Sequence, residues 1–101
     1  METSTDRRKR KDRERRRKNL YGVSEEQWTE MKIRQDNRCA ICSKHADENG
    51  QELAIDHCHD TGKVRGLLCR ECNLALGYLD DNINLFANAI KYLNASNDFS
   101  I

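Results

Sequence analysis

A short segment, Asp56-His57-Cys58-His59-Asp60, concentrates side chains that bind metal ions or transfer protons. Asp56 offers hard carboxylate oxygens of the kind that Mg²⁺ and Mn²⁺ prefer. His57 offers a neutral imidazole that can take a proton from water near pH 7. Asn73 supplies a second hard oxygen from further along the chain. These residue types suit a metal-assisted attack of water on a phosphodiester.

The same residues also have structural explanations. On an extended strand His57 and His59 share one face while Asp56 lies on the other, so the three converge only if the strand ends in a loop there. Asp56 alone could cap a turn, Asn73 could cap a helix, and either histidine could be structural or lie on the surface. We expect His45, in the loop that follows the first cysteine pair, to lie on the surface.

Two Cys-x-x-Cys pairs bracket the segment, Cys39 with Cys42 and Cys69 with Cys72. Each pair on a turn aims two sulfurs at one point, and four thiolates satisfy tetrahedral Zn²⁺. A site with four cysteines has no open coordination position, so we expect this zinc to be structural; redox pairs or free thiols are the alternative. Cys58 is expected to pack as a small hydrophobic residue, with a fifth ligand or a nucleophile as the alternatives.

Length and composition favour one small domain with a thin core. The chain has 101 residues, 37% of them hydrophobic, and five cysteines. The odd number of cysteines and the charged N-terminus disfavour a secreted disulfide framework, so metal ligation in a reducing cytosol is predicted. The sequence contains no run of about 18 apolar residues, so no membrane-spanning helix is predicted.

Charge is distributed unevenly along the chain. Residues 1–18 hold ten Lys/Arg against four Asp/Glu, whereas the rest of the chain holds eight against thirteen. The first segment has no apolar residue after Met1, which predicts a basic arm over residues 1–19 that is disordered in isolation. Its function would be salt-dependent binding to nucleic acid; a solubilising tail is the alternative.

The remaining pattern predicts the elements that position these residues. A capping box at Ser24 begins a helix that includes Trp28 as a core residue and ends near 36–37. Strand-like runs over 51–57 and 64–68 predict a hairpin. A helix starts at Cys69, and a last one, capped at 81 or 82, carries an apolar stripe that is either core or a dimer face. Its predicted residues are Ile83, Phe86, Ala87, Ile90 and Leu93.

The run from Leu53 to Asn73, with Ala-Ile-Asp-His-Cys-His followed by Gly-Lys-Val-Arg-Gly-Leu-Leu-Cys-x-x-Cys-Asn, resembles the recombination endonuclease VII branch of the HNH, or His-Me finger, nucleases. The upstream Tyr-Gly-Val-Ser and Arg-Cys-Ala-Ile-Cys are similar to the same branch. The resemblance spans about 21–93. It implies a small α+β fold with a zinc-stabilised ββα-metal core and flanking helices.

The resemblance also implies roles for individual residues. His57 would be the general base, Asp56 and Asn73 would bind a catalytic Mg²⁺ or Mn²⁺, and His59 would contact the phosphate or the leaving group. Solvent-exposed surface and phosphate contacts are both open for three cations of this region, Lys63, Arg65 and Arg70. The larger members have a long C-terminal helical region that this chain lacks, so junction-resolving and general nicking activities both stay open.

The sequence therefore predicts a DNA endonuclease from a phage or a mobile element, working in the bacterial cytosol, with a homodimer left open. Residues 20–95 would form the zinc-bound nuclease domain, and residues 96–101 a frayed tail. The alternatives are a non-catalytic zinc-finger module that binds DNA and a zinc module that binds protein. Only the nuclease needs the Asp56, His57 and Asn73 set.

Overall fold

A computed structural model describes residues 1–95 of the chain. It shows a two-stranded antiparallel sheet, with three helices before it and two after it in the sequence. This confirms the predicted small α+β class. The predicted frayed tail, residues 96–101, lies outside the described residues. The helices are α1 (Ser4–Tyr21), α2 (Glu25–Arg34), α3 (Ala46–Asn49), α4 (Arg70–Tyr78) and α5 (Ile83–Asn94), and the strands are β1 (Ala54–His57) and β2 (Val64–Leu68).

The basic N-terminal segment forms one long helix, α1, where the sequence predicts a disordered arm. The Thr3 hydroxyl accepts a hydrogen bond from the Asp6 amide at 3.0 Å, and Asp6 accepts one from the Thr3 amide at 3.2 Å. At the other end Gly22 adopts φ +67°, the left-handed conformation that commonly ends helices. Both helix ends are thus capped, which favours the helix although it has no apolar residue before Leu20.

Arg17 anchors α1 to the rest of the protein. Its guanidinium is buried, pairs with Glu25, and lies 3.6 Å from a carboxylate oxygen of Glu52. It also stacks 3.8 Å from the centroid of the Trp28 ring, and Lys32 lies 3.6 Å from the same centroid. Such cation–π contacts require tertiary packing that composition alone does not reveal. The predicted core position of Trp28 is confirmed.

Helix α2 begins as predicted and ends at Arg34, two residues before the predicted end near 36–37. The Gln27 amide donates to the Ser24 hydroxyl at 3.1 Å, and the Gln27 side chain accepts from the Ser24 amide at 2.8 Å, which completes the capping box. After Arg34 the chain turns through Asp36 and Asn37 at φ +54° and +53°. This turn delivers the first cysteine pair to the start of the hairpin.

The predicted hairpin is confirmed, with a shorter first strand. Ala54 pairs with Leu68, and Asp56 with Gly66, but His57 pairs with Val64. The register therefore skips Arg65, which is the extra residue of a β-bulge. Bulges bend a strand and re-aim the side chain that they carry.

Gln35 fastens the hairpin to the end of α2. Its side-chain amide donates to the Leu67 carbonyl at 2.9 Å and accepts from the Leu67 amide at 3.0 Å. The same region contains the core, which is small, as the composition predicts. Its buried members are Val23, Trp28, Cys39, Leu53, Leu67, Leu68 and Cys69.

The last two helices follow the hairpin. Cys69 is the N-cap of α4, and Asn82 is the N-cap of α5. The apolar stripe of α5 is exposed, with Ile83 82% and Ile90 60% accessible, so the prediction that it is core is wrong within one chain. Among residues 1–95, no helix is long and apolar enough to cross a membrane.

Candidate functional site

The four paired cysteines meet at one point between the end of α2 and the start of α4. Their Sγ atoms all lie within 4.8 Å of one another, and those of Cys42 and Cys69 are 3.7 Å apart. A tetrahedral site with Zn–S bonds of about 2.3 Å places its sulfur atoms about 3.8 Å apart. The four cysteines could therefore hold a zinc ion. The remaining cysteine, Cys58, does not belong to this cluster.

The four thiols differ in acidity because their surroundings differ. Burial opposes ionisation of Cys39, but hydrogen bonds from backbone N–H groups outweigh it and lower the pKa of this thiol to about 6. Burial raises the pKa of Cys69 and of Cys72. Because a metal ion replaces these protons when it binds thiolates, zinc affinity of such a cluster falls as the pH is lowered.

Position within the fold explains how the cluster forms. Cys39 and Cys69 are almost fully buried, and the Cys69 sulfur accepts a hydrogen bond from the Cys72 amide at 3.4 Å. The backbone of Ala40 donates to the Leu67 carbonyl at 3.1 Å, so the first cysteine loop is tied directly to β2. The cluster therefore joins α2, the hairpin and α4 in one unit.

Asp56 lies on β1 and is only 8% exposed. Both of its carboxylate oxygens accept hydrogen bonds from Arg65, one from Nε at 2.6 Å and the other from Nη2 at 3.0 Å. These hydrogen bonds raise the pKa of the Arg65 guanidinium. Neither role considered for Arg65 from the sequence, phosphate contact or solvated surface, describes this bidentate ion pair.

Arg65 also contacts a second carboxylate that sequence reasoning missed. Its Nη2 donates to Asp81 at 3.1 Å, and His59 Nε2 lies 3.8 Å from the same Asp81 oxygen. The sequence offered Asp81 only as one of two possible caps for α5. Asn82 caps the helix instead, and Asp81 adopts φ +55° in the turn before it. No local pattern distinguishes such a turn residue from an ordinary acidic one.

His57 lies at the end of β1, and its ring is close to two other rings. The ring centroid is 5.2 Å from that of His59 and 5.5 Å from that of Tyr21, the last residue of α1. The two histidines are thus neighbours, as strand periodicity predicts, while Asp56 is buried. The contact with Tyr21 was not predicted, because it depends on how α1 docks.

Asn73 lies in the first turns of α4, which packs against β1. Its side chain is exposed, and its amide donates to the Cys69 carbonyl within the helix at 3.0 Å. Since Cys69 is the N-cap, the alternative that Asn73 caps this helix is wrong. An exposed amide oxygen is available to a ligand.

The turn between β1 and β2 contains the rest of the segment, Cys58, His59 and Asp60. Cys58 is partly exposed and outside the core, so the prediction that it packs as a small hydrophobic residue is wrong. A hydrogen bond with the Thr61 side chain lowers the pKa of its thiol. Asp60 is exposed. His45 caps α3, with Nδ1 accepting from the Asp47 amide at 3.1 Å.

The predicted ligands, Asp56 and Asn73, have the chemistry to hold a hard divalent cation, but Asp56 already has a partner. Asp56 and Asn73 offer carboxylate and amide oxygens, which suit Mg²⁺ or Mn²⁺. Both Asp56 oxygens, however, are already hydrogen-bonded to Arg65. A cation that binds Asp56 must therefore share or replace this contact.

Known proteins resemble most of the chain. A sequence model of the family described as recombination endonuclease VII matches residues 14–95. The Gene 59 proteins of Mycobacterium phage L5 and Mycobacterium phage D29 are each 42% identical to this chain over 74 residues. The aligned region covers 72% of this chain and 44% of each phage protein. The chain thus spans less than half of the length of these relatives.

Proposed function

The chain belongs to the recombination endonuclease VII family, as its sequence predicts, and on that premise we propose that it is a metal-dependent endonuclease that hydrolyses phosphodiester bonds in DNA. The observation that carries the proposal is the placement of a nine-tenths-buried carboxylate, Asp56, next to a partly exposed imidazole, His57, at the end of one strand. A module that only binds DNA has no need of this pair.

The wider class that we propose is the HNH, or His-Me finger, nucleases. Two antiparallel strands followed directly by a helix, β1, β2 and α4, support this class. The histidine ends the first strand, and the asparagine lies on the helix. The zinc cluster ties the helix to the hairpin, so the relative position of the two would be fixed before DNA binds.

In the proposed reaction His57 accepts a proton from the attacking water. The neighbouring rings of Tyr21 and His59 would hold the imidazole in orientation. His59 would contact the phosphate or the leaving group. Asp56 and Asn73 would hold Mg²⁺ or Mn²⁺, which supplies charge stabilisation to the phosphate and the departing 3′-oxygen.

The zinc would be structural and separate from the reaction. Four cysteines occupy all positions of a tetrahedral ion, which leaves none for substrate. In small domains such an ion contributes on the order of 10 kcal/mol to folding. That contribution would offset the thin core of this chain.

Helix α1 provides the DNA surface in this proposal. It holds ten Lys/Arg against three Asp/Glu, and it ends at the residue that contacts His57. Phosphate contacts along such a helix give affinity that is independent of sequence and falls as salt is added. A phage protein of this kind would act in the host bacterial cytosol.

We also propose that the protein forms a homodimer. The exposed apolar face of α5 is the surface that we expect to carry it, because residues of a helix face at this spacing are usually covered. Light scattering after size exclusion measures the mass directly. A monomer at all concentrations would remove this part of the proposal.

The alternative function is a non-catalytic zinc-finger module that binds DNA through α1. Two neighbouring aspartates separate the two functions. Asp56→Asn removes the negative charge of the proposed cation ligand, whereas Asp60→Asn removes the same charge from an exposed position of the same segment. We expect wild-type and Asp60→Asn proteins to nick supercoiled plasmid with Mg²⁺ or Mn²⁺, and Asp56→Asn to lose at least about 100-fold in rate.

Equal rates for the two variants would contradict the role of Asp56, and DNA binding without cleavage by the wild type would favour the alternative. A panel of linear, nicked, forked and four-way-junction DNA then defines the substrate. Preferential cleavage of the junction supports a resolving activity, and uniform cleavage supports a general nicking activity.

A further inference from the structure

The β-bulge at Arg65 has a specific consequence for Asp56. In a regular hairpin the residue between Val64 and Gly66 would pair across the sheet, but here it is left out of the register. Its side chain instead reaches the buried carboxylate with two N–H groups at 2.6 and 3.0 Å. This planar fork-to-fork contact takes up both oxygens of Asp56 at once.

The charge balance explains why the contact forms. A carboxylate as buried as Asp56 needs a partner of opposite charge, because desolvation of an unpaired charge is costly. Arg65 supplies that partner and remains 39% exposed on its own side chain. Nη2, which donates to Asp56, also donates to Asp81, so one guanidinium serves two carboxylates.

A divalent cation on Asp56 would bind the same two oxygens that Arg65 contacts, and its positive charge would repel the guanidinium at that short distance. Cation binding and the ion pair therefore oppose each other, and each stabilises the carboxylate in place of the other. Asp81 also contacts the guanidinium, and this contact can remain after Arg65 releases Asp56.

Resting on the proposed function, we propose that Arg65 is a positioning residue that holds Asp56 until a divalent cation displaces it, with Asp81 retaining the displaced guanidinium. The cation thus competes with an internal positive charge. Without Arg65 the carboxylate would bind the cation more tightly.

Mn²⁺ binding tests this competition without DNA cleavage. The background is zinc-loaded His57→Ala protein, and free Mn²⁺ is followed by its electron paramagnetic resonance signal. Arg65→Gln removes the competitor, and we expect it to bind Mn²⁺ about tenfold more tightly. Arg65→Lys keeps the net charge of the parent but cannot hold both oxygens, so an intermediate gain is expected.

Lys63→Gln is the matched control, because it removes one positive charge from an exposed position of the same hairpin. We expect a gain of less than about twofold, from general electrostatics alone. Zinc content and the thermal unfolding midpoint of each variant confirm the fold, and Arg65→Lys provides the test if Arg65→Gln unfolds.

Mn²⁺ affinity that is unchanged or weaker in the folded Arg65 variants would overturn the competition and leave the nuclease proposal intact. A similar gain for Lys63→Gln and Arg65→Gln, with none for Arg65→Lys, would also overturn it in favour of net charge. The Asp56→Asn variant tests the proposed cation site itself. If that change leaves the Mn²⁺ titration of the parent unaltered, the cation site of the proposed function and the competition both fail.

Discussion

At the scale of single residues, the end of β1 is held from two sides. Tyr21 of α1 contacts the His57 ring, while Arg65 and, through it, Asp81 hold Asp56. Neighbouring residues of one strand point to opposite faces, so each needs its own support. The supports come from elements far apart in sequence.

Tyr21 should act on His57 through ring orientation alone. Tyr21→Phe keeps the ring, so we expect cleavage within about twofold of wild type, whereas Tyr21→Ala should lower kcat about tenfold because misplacement of a catalytic group by even 1 Å is costly. KM for DNA should change little in both. An equal loss in kcat for the two variants, or a loss confined to KM, would contradict the positioning role.

The residues that could be predicted are those marked by local spacing. Asp56, His57 and the cysteine pairs were identified because their types and intervals suit metal and proton chemistry. Arg65 and Asp81 were not identified as a pair, because their contact depends on a bulge and on a turn conformation. They lie 16 positions apart in sequence, and the folded hairpin and the turn before α5 together bring them into contact.

At the scale of elements, the cysteine cluster and Gln35 join α2, the hairpin and α4. The capping box at Ser24, the hairpin and the start of α4 follow from short patterns, and the structure confirms them. Helix α1 does not follow from its composition. Its stability depends on the Thr3 and Gly22 caps and on the contact between Arg17 and Trp28, which is tertiary.

Two cysteine variants test the zinc assignment. Cys42→Ser removes one proposed ligand at an exposed position, and we expect loss of bound zinc and a lower thermal unfolding midpoint, because metal binding is coupled to folding. Cys58→Ser is the matched control and should retain one zinc per chain. Zinc is measured by mass spectrometry of the metal content. Full zinc in Cys42→Ser would contradict a site of four cysteines.

At the scale of the whole molecule, the described chain is elongated, with extents of 61 × 31 × 22 Å. An 18-residue helix is about 27 Å long, so α1 contributes much of the length. Because the remaining chain carries net negative charge, the proposed function makes α1 the main attraction for DNA.

Truncation of α1 tests whether this helix provides the main attraction for DNA. Because Arg17 packs on Trp28, removal of residues 1–15 is a cleaner change than removal of the whole helix. We expect the slope of log affinity for DNA against log salt to become shallower, since each lost phosphate contact reduces it by about 0.9. Arg17→Met in the full chain is the comparison, with lower stability but a nearly unchanged slope. An unchanged slope after truncation would mean that α1 does not contact DNA.

The most direct test of the central claim is cleavage of plasmid DNA by zinc-loaded wild-type and His57→Ala proteins with Mg²⁺ or Mn²⁺. His45→Asn is the histidine control, because asparagine also caps helices and keeps the α3 contact. The account predicts nicking by wild type and His45→Asn, and loss of nicking with full zinc content in His57→Ala. Nicking by His57→Ala at the wild-type rate, or zinc-loaded wild type that cuts no DNA with either cation, would contradict it.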